Sequence, residues 1–323
     1  MITSVWEDIK REFSFGNMVT RLVIINVAVF VAVIIVKLIF SIMSGGDSQA
    51  INGFQDFFYF FCMSTDEWHV LTHPWVPLTS MFLHEGLWHI LWNMLFLYWF
   101  GRIVGGFIGD HHILPIYLLS GLVAAVAYYL SINFIYQIDN SFAWGASGGV
   151  NGIILAAAVI APDYIIRLLF IGEVRLKYIV AVLLFIDIIG IANNSNTGGH
   201  FAHLGGALFG WFYIYQLRNG GTDLSNPVNR IVNSIGRFFE SIFNFFRGKK
   251  SKLRVEYRNP NRSTSSNRRS MGFGKSRKPN RVSDTEDLSH QEKLDAILDK
   301  INTKGMDSLS EEEKDFLYNA SKK

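Results

Sequence analysis

The sequence predicts an all-α fold, a polytopic membrane protein whose bundle has six transmembrane helices. Three observations lead there. Half of the 323 residues are hydrophobic, and mean hydropathy is positive at +0.22 although roughly the last hundred residues are polar. The first two thirds must therefore be strongly apolar, which excludes a soluble globular enzyme. Apolar runs approaching the ~20 residues that cross a bilayer recur along that part. Finally, Lys and Arg change sides at every crossing.

The spans fall at about 22–43, 87–104, 113–132, 147–161, 178–191 and 201–217, the fourth with a recessed start. Glu7, Asp8, Lys10, Arg11 and Glu12 precede the first, which is too long for the apolar region of a cleavable signal. The same stretch lacks the Arg/Ser-rich, acid-poor character of a mitochondrial presequence. Lys10, Arg11 and Arg21 lie before the first span, and residues 44–100 contain no Lys or Arg. Arg102 ends the second span, Arg167, Arg175 and Lys177 separate the fourth from the fifth, and Arg218 follows the sixth. The segments 133–144 and 192–200 carry none. The rule for positive loops then places both termini in the cytoplasm. It also puts Ser147 and His203 at similar depth near the outer side.

The chain divides into a cytoplasmic N-terminus (1–20), a six-span domain (21–218), a juxtamembrane linker (219–283) and a cytoplasmic helical hairpin (284–323). Within the second, residues 44–80 hold Phe57, Phe58, Phe60, Phe61, Trp68 and Trp75 and no base, as expected of an element partly inserted in the outer leaflet. Packing only against its own helices is the alternative. In the linker, Ile231, Ile235, Phe238, Phe239, Ile242 and Phe243 recur at helical spacing, predicting an amphipathic interfacial helix. Residues 249–281 are rich in Lys, Arg, Ser and Asn, which predicts a disordered segment drawn to anionic headgroups of the lipid bilayer. With only Tyr257 and Phe273 for base stacking, a nucleic-acid role is not expected. In the hairpin, Leu294, Ile297, Leu298 and Ile301 line one face, Gly305 breaks the helix, and Ser310 with Glu313 forms a capping box. About forty residues bury little core, so the hairpin is expected to dock on a cytoplasmic partner.

Polar residues inside the apolar helices carry the chemistry. Ser147 lies in Gly145-Ala-Ser-Gly-Gly at the head of an uncharged run, and His203 stands in the sixth span. Ionisable groups within a membrane are candidates for function, and a serine with a histidine suggests a nucleophile and its base. Contact requires their helices to touch. Gly148 and Gly152 form one ridge of small residues, and Ala202, Gly206 and Gly210 form another. His89 and Asn93, four apart, share a face of the second span. Both can donate hydrogen bonds, either between helices or to an oxyanion. His84-Glu85 followed by His89 suggests zinc, but five residues turn about 140° on a helix, so the two imidazoles diverge. Cys62 is the only cysteine. No metal and no cofactor are expected. Asp187 is the only acid within the apolar spans. It pairs with a neighbouring polar group, faces water near the outer surface, or acts as a third catalytic member. Asn194, Thr197 and His200 lie near the outer mouth and are candidates to line it.

Taken in order, His84, His89 and Asn93 at the second span, Gly145-Ala-Ser147-Gly148 at the fourth, and Ala202-His203 with Gly206 and Gly210 in the sixth resemble the rhomboid family of intramembrane serine proteases. The likeness covers roughly residues 20–218, and the tail resembles an extension of rhomboids from Bacteroidetes-type bacteria. The resemblance implies a rhomboid-like bundle in a bacterial inner membrane. It implies a Ser147–His203 dyad that cleaves peptide bonds in or near transmembrane helices of membrane-protein substrates. His89, Asn93 and the Ser147 N–H would stabilise the oxyanion, and His84 would brace the outer loop. The chain departs from the family pattern at Val76, where many members carry arginine, and at Asn151, where many carry an aromatic that stacks on the histidine. Gly105 and Phe107 stand near the places of a common Glu and Arg. The alternatives are a weakly active or inactive rhomboid-like protein that binds membrane clients, and a transporter. Retention of both Ser147 and His203 speaks against the first, and the lack of an internal repeat against the second.

Overall fold

A computed structural model of the chain describes residues 2–43, 45, 48–168, 171–246 and 290–320. It comprises two compact units, 1–251 and 252–323. The basic stretch 249–281, expected to be disordered, lies outside the described residues.

The first unit is helical almost throughout. A short amphipathic helix α1 (Ile2–Phe15) leads into α2 (Met18–Met43). Beyond it come the short helices α3 (Ser48–Tyr59), α4 (Glu67–Thr72) and α5 (Val76–Thr79). The remaining helices are α6 (Leu87–Ile108), α7 (Ile113–Leu130), α8 (Ser147–Ile160), α9 (Leu176–Ala192), α10 (Thr197–Arg218) and α11 (Ser225–Phe246). The six anticipated spans correspond to α2, α6, α7, α8, α9 and α10. Among the described residues, α2, α6 and α7 with its flanking turns are long and apolar enough to cross a membrane, and α8 is a shorter apolar helix.

Helix ends follow backbone chemistry. Gly109, at φ 97°, stops α6 in a conformation that disfavours a side chain. Pro115 sits in the first turn of α7, where its missing N–H would have no helical partner. Beyond Leu130 the chain widens into a π-type turn to Tyr136 and stops at left-handed Gln137. Two antiparallel ribbons, absent from the all-α expectation, join the helices. Met63–Ser64 (β1) pairs with Phe142–Ala143 (β2), and Ile165–Leu168 (β3) with Gly172–Arg175 (β4).

The core is built on α7, α8 and α10, with α6 against α8, α2 outside α6, and α9 against α10 and α8. Small residues allow this density. A Cβ on Gly206 would collide with the backbone of Gly148, and one on Gly210 with the backbone of Gly152. The two ridges therefore meet backbone to backbone. Tyr117, fully buried on α7, donates its hydroxyl to the Met81 carbonyl at 2.9 Å and receives Asn26 Nδ2 of α2 at 3.4 Å. These bonds satisfy polar groups that would be costly unpaired in an apolar interior.

The second unit contains α12 (His290–Lys304) and α13 (Glu311–Ala320). Glu313 accepts from the Ser310 N–H at 2.8 Å, and the Glu313 N–H donates to the Ser310 hydroxyl at 3.3 Å, closing the reciprocal cap. Lys300 of α12 reaches the same carboxylate at 2.7 Å. The Lys300 bond and the Ser310 N–H hold Glu313 below the ordinary carboxylate range.

Overpacking the α8–α10 contact should be costly. Gly206→Val is expected to lower the thermal midpoint in detergent by about 5–10 °C. Gly236→Val, on α11 with nothing within 4 Å of its Cβ position, should move it by less than about 2 °C. Equal midpoints for the two variants would show that the backbones do not touch.

Candidate active site

Ser147 is the first residue of α8 and follows Gly145, held at φ 128°. That conformation is open to glycine and turns the chain sharply from the β2 ribbon into the helix. The turn is tied down on three sides. β1 pairs with β2, the Gly145 N–H donates to the Ser80 carbonyl at 2.9 Å, and the Ala146 N–H points at His84 Nε2 at 3.4 Å. Val150 makes the first helical bond back to Ala146, at 2.9 Å. The N–H groups of Ser147, Gly148 and Gly149 thus have no partner from the helix's own ladder, and the positive end of the helix lies at Ser147.

His203 sits on the α10 face that meets α8, one turn before Gly206. Its Nε2 lies 2.9 Å from Ser147 Oγ. The ridges set this distance, since Gly206 and Gly148 bring the backbones together a few residues below the pair. Ser147, His203, His89 and Asn93 line one cavity of about 640 Å3 with Trp88, Trp92, Trp144 and Asn151. The His89 ring rests on Gly145, where a Cβ would fall 2.8 Å from its Nε2. Asn93 also faces the cavity, although its Nδ2 donates to the His89 carbonyl at 2.9 Å, so one of its two N–H groups is held by its own helix. His84 is fully buried, with its ring edge-on to His89 at 5.0 Å.

The structure adds what the sequence did not settle. Asp187, on α9 and only 5% exposed, accepts a hydrogen bond from His203 Nδ1 at 2.8 Å and another from His200 Nδ1 at 2.7 Å, both on Oδ1. His200, expected to line the outer mouth, is turned onto this carboxylate, while Asn196 and Gly199 line the cavity from that end. The pair expected as a dyad therefore stands in a line of three. Sixteen positions and a helix boundary separate Asp187 from His203, so no local pattern joined them. The available signal was an uncompensated acid in an apolar span. The ligand atoms of Asp187, His200 and His203 lie within 4.8 Å of one another. This spacing would suit a metal, but the two hydrogen bonds on Oδ1 account for it.

The departures have local explanations. Val76 is fully buried against Met63, Tyr128 and Ile132, so apolar packing occupies the arginine's place. Asn151 donates from Nδ2 to the Ser147 carbonyl at 3.0 Å, which steadies the first turn of α8 instead of stacking on an imidazole.

The site thus holds a serine hydrogen-bonded to a histidine between two touching apolar helices. Residues 71–220, a little under half of the chain, match the family model described as Rhomboid domain, so this segment belongs to the rhomboid family. Residues 285–323 match a second model, described as Family of unknown function (DUF6576). Among curated proteins, the chain is similar to RHOMBOID-like protein 12, mitochondrial, of Arabidopsis thaliana, 31% identical over 44% of this chain and 46% of that protein. It is similar to the human Presenilin-associated rhomboid-like protein, mitochondrial, 28% identical over 42% of this chain and 36% of that one. It is also similar to Rhomboid protease GluP of Bacillus subtilis, 29% identical over 43% of this chain and 25% of that one. The chain thus matches less than half the length of each of these relatives. It is a multi-pass membrane protein of an intramembrane-protease family.

Gly145 admits a direct check. A methyl there meets both the positive φ and the His89 ring. Gly145→Ala is expected to cost about 1–3 kcal/mol, seen as a fall of several degrees in the detergent midpoint. An unchanged midpoint would show that this backbone is not held.

Proposed function

We propose that the chain is an intramembrane serine endopeptidase that hydrolyses peptide bonds in or near the transmembrane helices of membrane proteins. The observation that carries this reading is the 2.9 Å contact of His203 Nε2 with Ser147 Oγ, in a cavity at the head of α8. In the proposed reaction Ser147 Oγ forms a bond to the carbonyl carbon while its proton passes to His203 Nε2. The resulting oxyanion lies at the positive end of α8, within reach of the Ser147 N–H, the His89 ring and the free N–H of Asn93. Collapse breaks the C–N bond, and His203 returns the proton to the leaving amine. Water then attacks the acyl ester, gives a proton to His203, and Ser147 Oγ recovers it as the acid departs.

The setting belongs to the same proposal. Both termini lie in the cytoplasm, as the Lys/Arg placement suggests, and the resemblance of the tail to bacterial rhomboids suggests a bacterial inner membrane. The exposed Ile231, Ile235, Phe238, Phe239 and Ile242 of α11 form an apolar stripe suited to the lipid surface, next to the basic segment suited to anionic headgroups. The α12–α13 hairpin is the docking element for a cytoplasmic partner.

The test uses purified full-length protein in liposomes with a model transmembrane substrate and a fluorophosphonate probe. The wild type should label and cleave, while Ser147→Ala should lose labelling and His203→Ala should lose cleavage by roughly 10⁴-fold or more. A wild type that neither labels nor cleaves overturns the reading, as does equal labelling of Ser147→Ala. Removing an oxyanion donor should matter less. His89→Ala and Asn93→Ala are each expected to lower kcat by about 10²–10³-fold with little change in KM.

A further inference from the structure

Resting on the serine-protease reading, we infer that Asp187 is a positioning residue that fixes the tautomer and orientation of His203, and that His200 holds Asp187 in place for that task. The geometry carries the inference. Asp187 Oδ1 lies 2.8 Å from His203 Nδ1, and His203 Nε2 lies 2.9 Å from Ser147 Oγ. An ionised carboxylate only accepts hydrogen bonds. His203 Nδ1 must then carry the proton, which leaves a lone pair on Nε2 facing the serine hydroxyl. That is the tautomer a general base needs, and without the carboxylate the other tautomer becomes available. When the serine proton arrives on Nε2, the negative charge 2.8 Å away stabilises the imidazolium.

A buried carboxylate needs compensation, and the surroundings are built for it. His200, one turn before His203 on α10, donates from Nδ1 to the same Oδ1 at 2.7 Å. Its ring lies against Gly190 of α9, where any Cβ would collide with the imidazole. Gly190 stands three residues after Asp187, so one face of α9 supplies both the carboxylate and the space for its second donor. Two imidazoles of α10, one turn apart, thus hold the same oxygen of α9. Asn151, bonded back to the Ser147 carbonyl, does not orient His203, so this task falls to α9.

The test compares wild type, Asp187→Asn, Asp187→Glu and His200→Ala as full-length proteins in liposomes, each checked for folding by its thermal midpoint. Asp187→Asn should lower kcat on the model transmembrane substrate by about 10²–10⁴-fold, with KM within about threefold of wild type. Phosphonylation of Ser147 should slow in parallel. Asp187→Glu should recover part of the loss, and His200→Ala should lower kcat by about tenfold, the scale of one hydrogen bond. The wild-type proton spectrum should show a low-field imidazole resonance that disappears in His203→Ala and in Asp187→Asn. If Asp187→Asn does not fold, that wild-type resonance decides: its presence supports the inference and its absence overturns it. Folded Asp187→Asn with kcat within about threefold of wild type overturns the inference while the protease reading stands. So does a loss in Asp187→Asn that Asp187→Glu shares in full, with the resonance unchanged. A wild type that neither labels nor cleaves overturns both.

Discussion

The approach of α8 to α10 governs the rest of the molecule. At Gly148 against Gly206, and again at Gly152 against Gly210, there is no room for a single methyl group. In lipid no hydrophobic force draws apolar helices together, so packing of this kind is what holds them. The glycines give up helix propensity, about 1 kcal/mol each relative to alanine, for a contact that larger residues would prevent. The return is positional. Two side chains on rigid helices come within hydrogen-bond distance without a loop to place them, and the constellation inherits the stiffness of the bundle.

Around that seam the segment between α2 and α6 acts as a brace. The β1–β2 pairing, the Ser80 carbonyl and the buried His84 all converge on Gly145 and Ala146, the two residues before the serine. Tyr117 and Asn26 carry the same restraint inward to α7 and α2. The head of α8 is therefore determined by four separate stretches of chain. That explains how a glycine at φ 128° persists next to an aromatic-lined cavity.

Much of this was legible in the sequence. The apolar runs marked the order of the helices, and the small-residue spacing around Ser147 and His203 marked the contact. Both patterns are local and repeat along the chain. The line from Asp187 to His203 was not legible, because it depends on how α9 rotates against α10, and a 17-residue helix apolar on nearly every side offers no stripe to fix that rotation. His200 was misplaced for the same reason. Its position near the mouth was correct by sequence, but its direction was set by a neighbour on another helix. The two ribbons escaped notice because two-to-four-residue strands leave no periodicity. The helicity of α1 was hidden within a run dense in charge.

The shortness of α8 acts as a ruler. Fourteen residues rise about 21 Å, against a hydrocarbon thickness of about 30 Å. The charged pairs of Asp163 with Arg175 and Lys177 stand just beyond the far end of α8, where charge favours water. With that end at one water boundary, Ser147 would lie about 9 Å beneath the other. A neighbouring helix descends that distance in about six residues. On the protease reading proposed above, a substrate helix alongside the bundle would present Ser147 with a bond less than two turns below its own entry into the bilayer. Distance from the surface, as well as the residues flanking the bond, would then help to choose the cut.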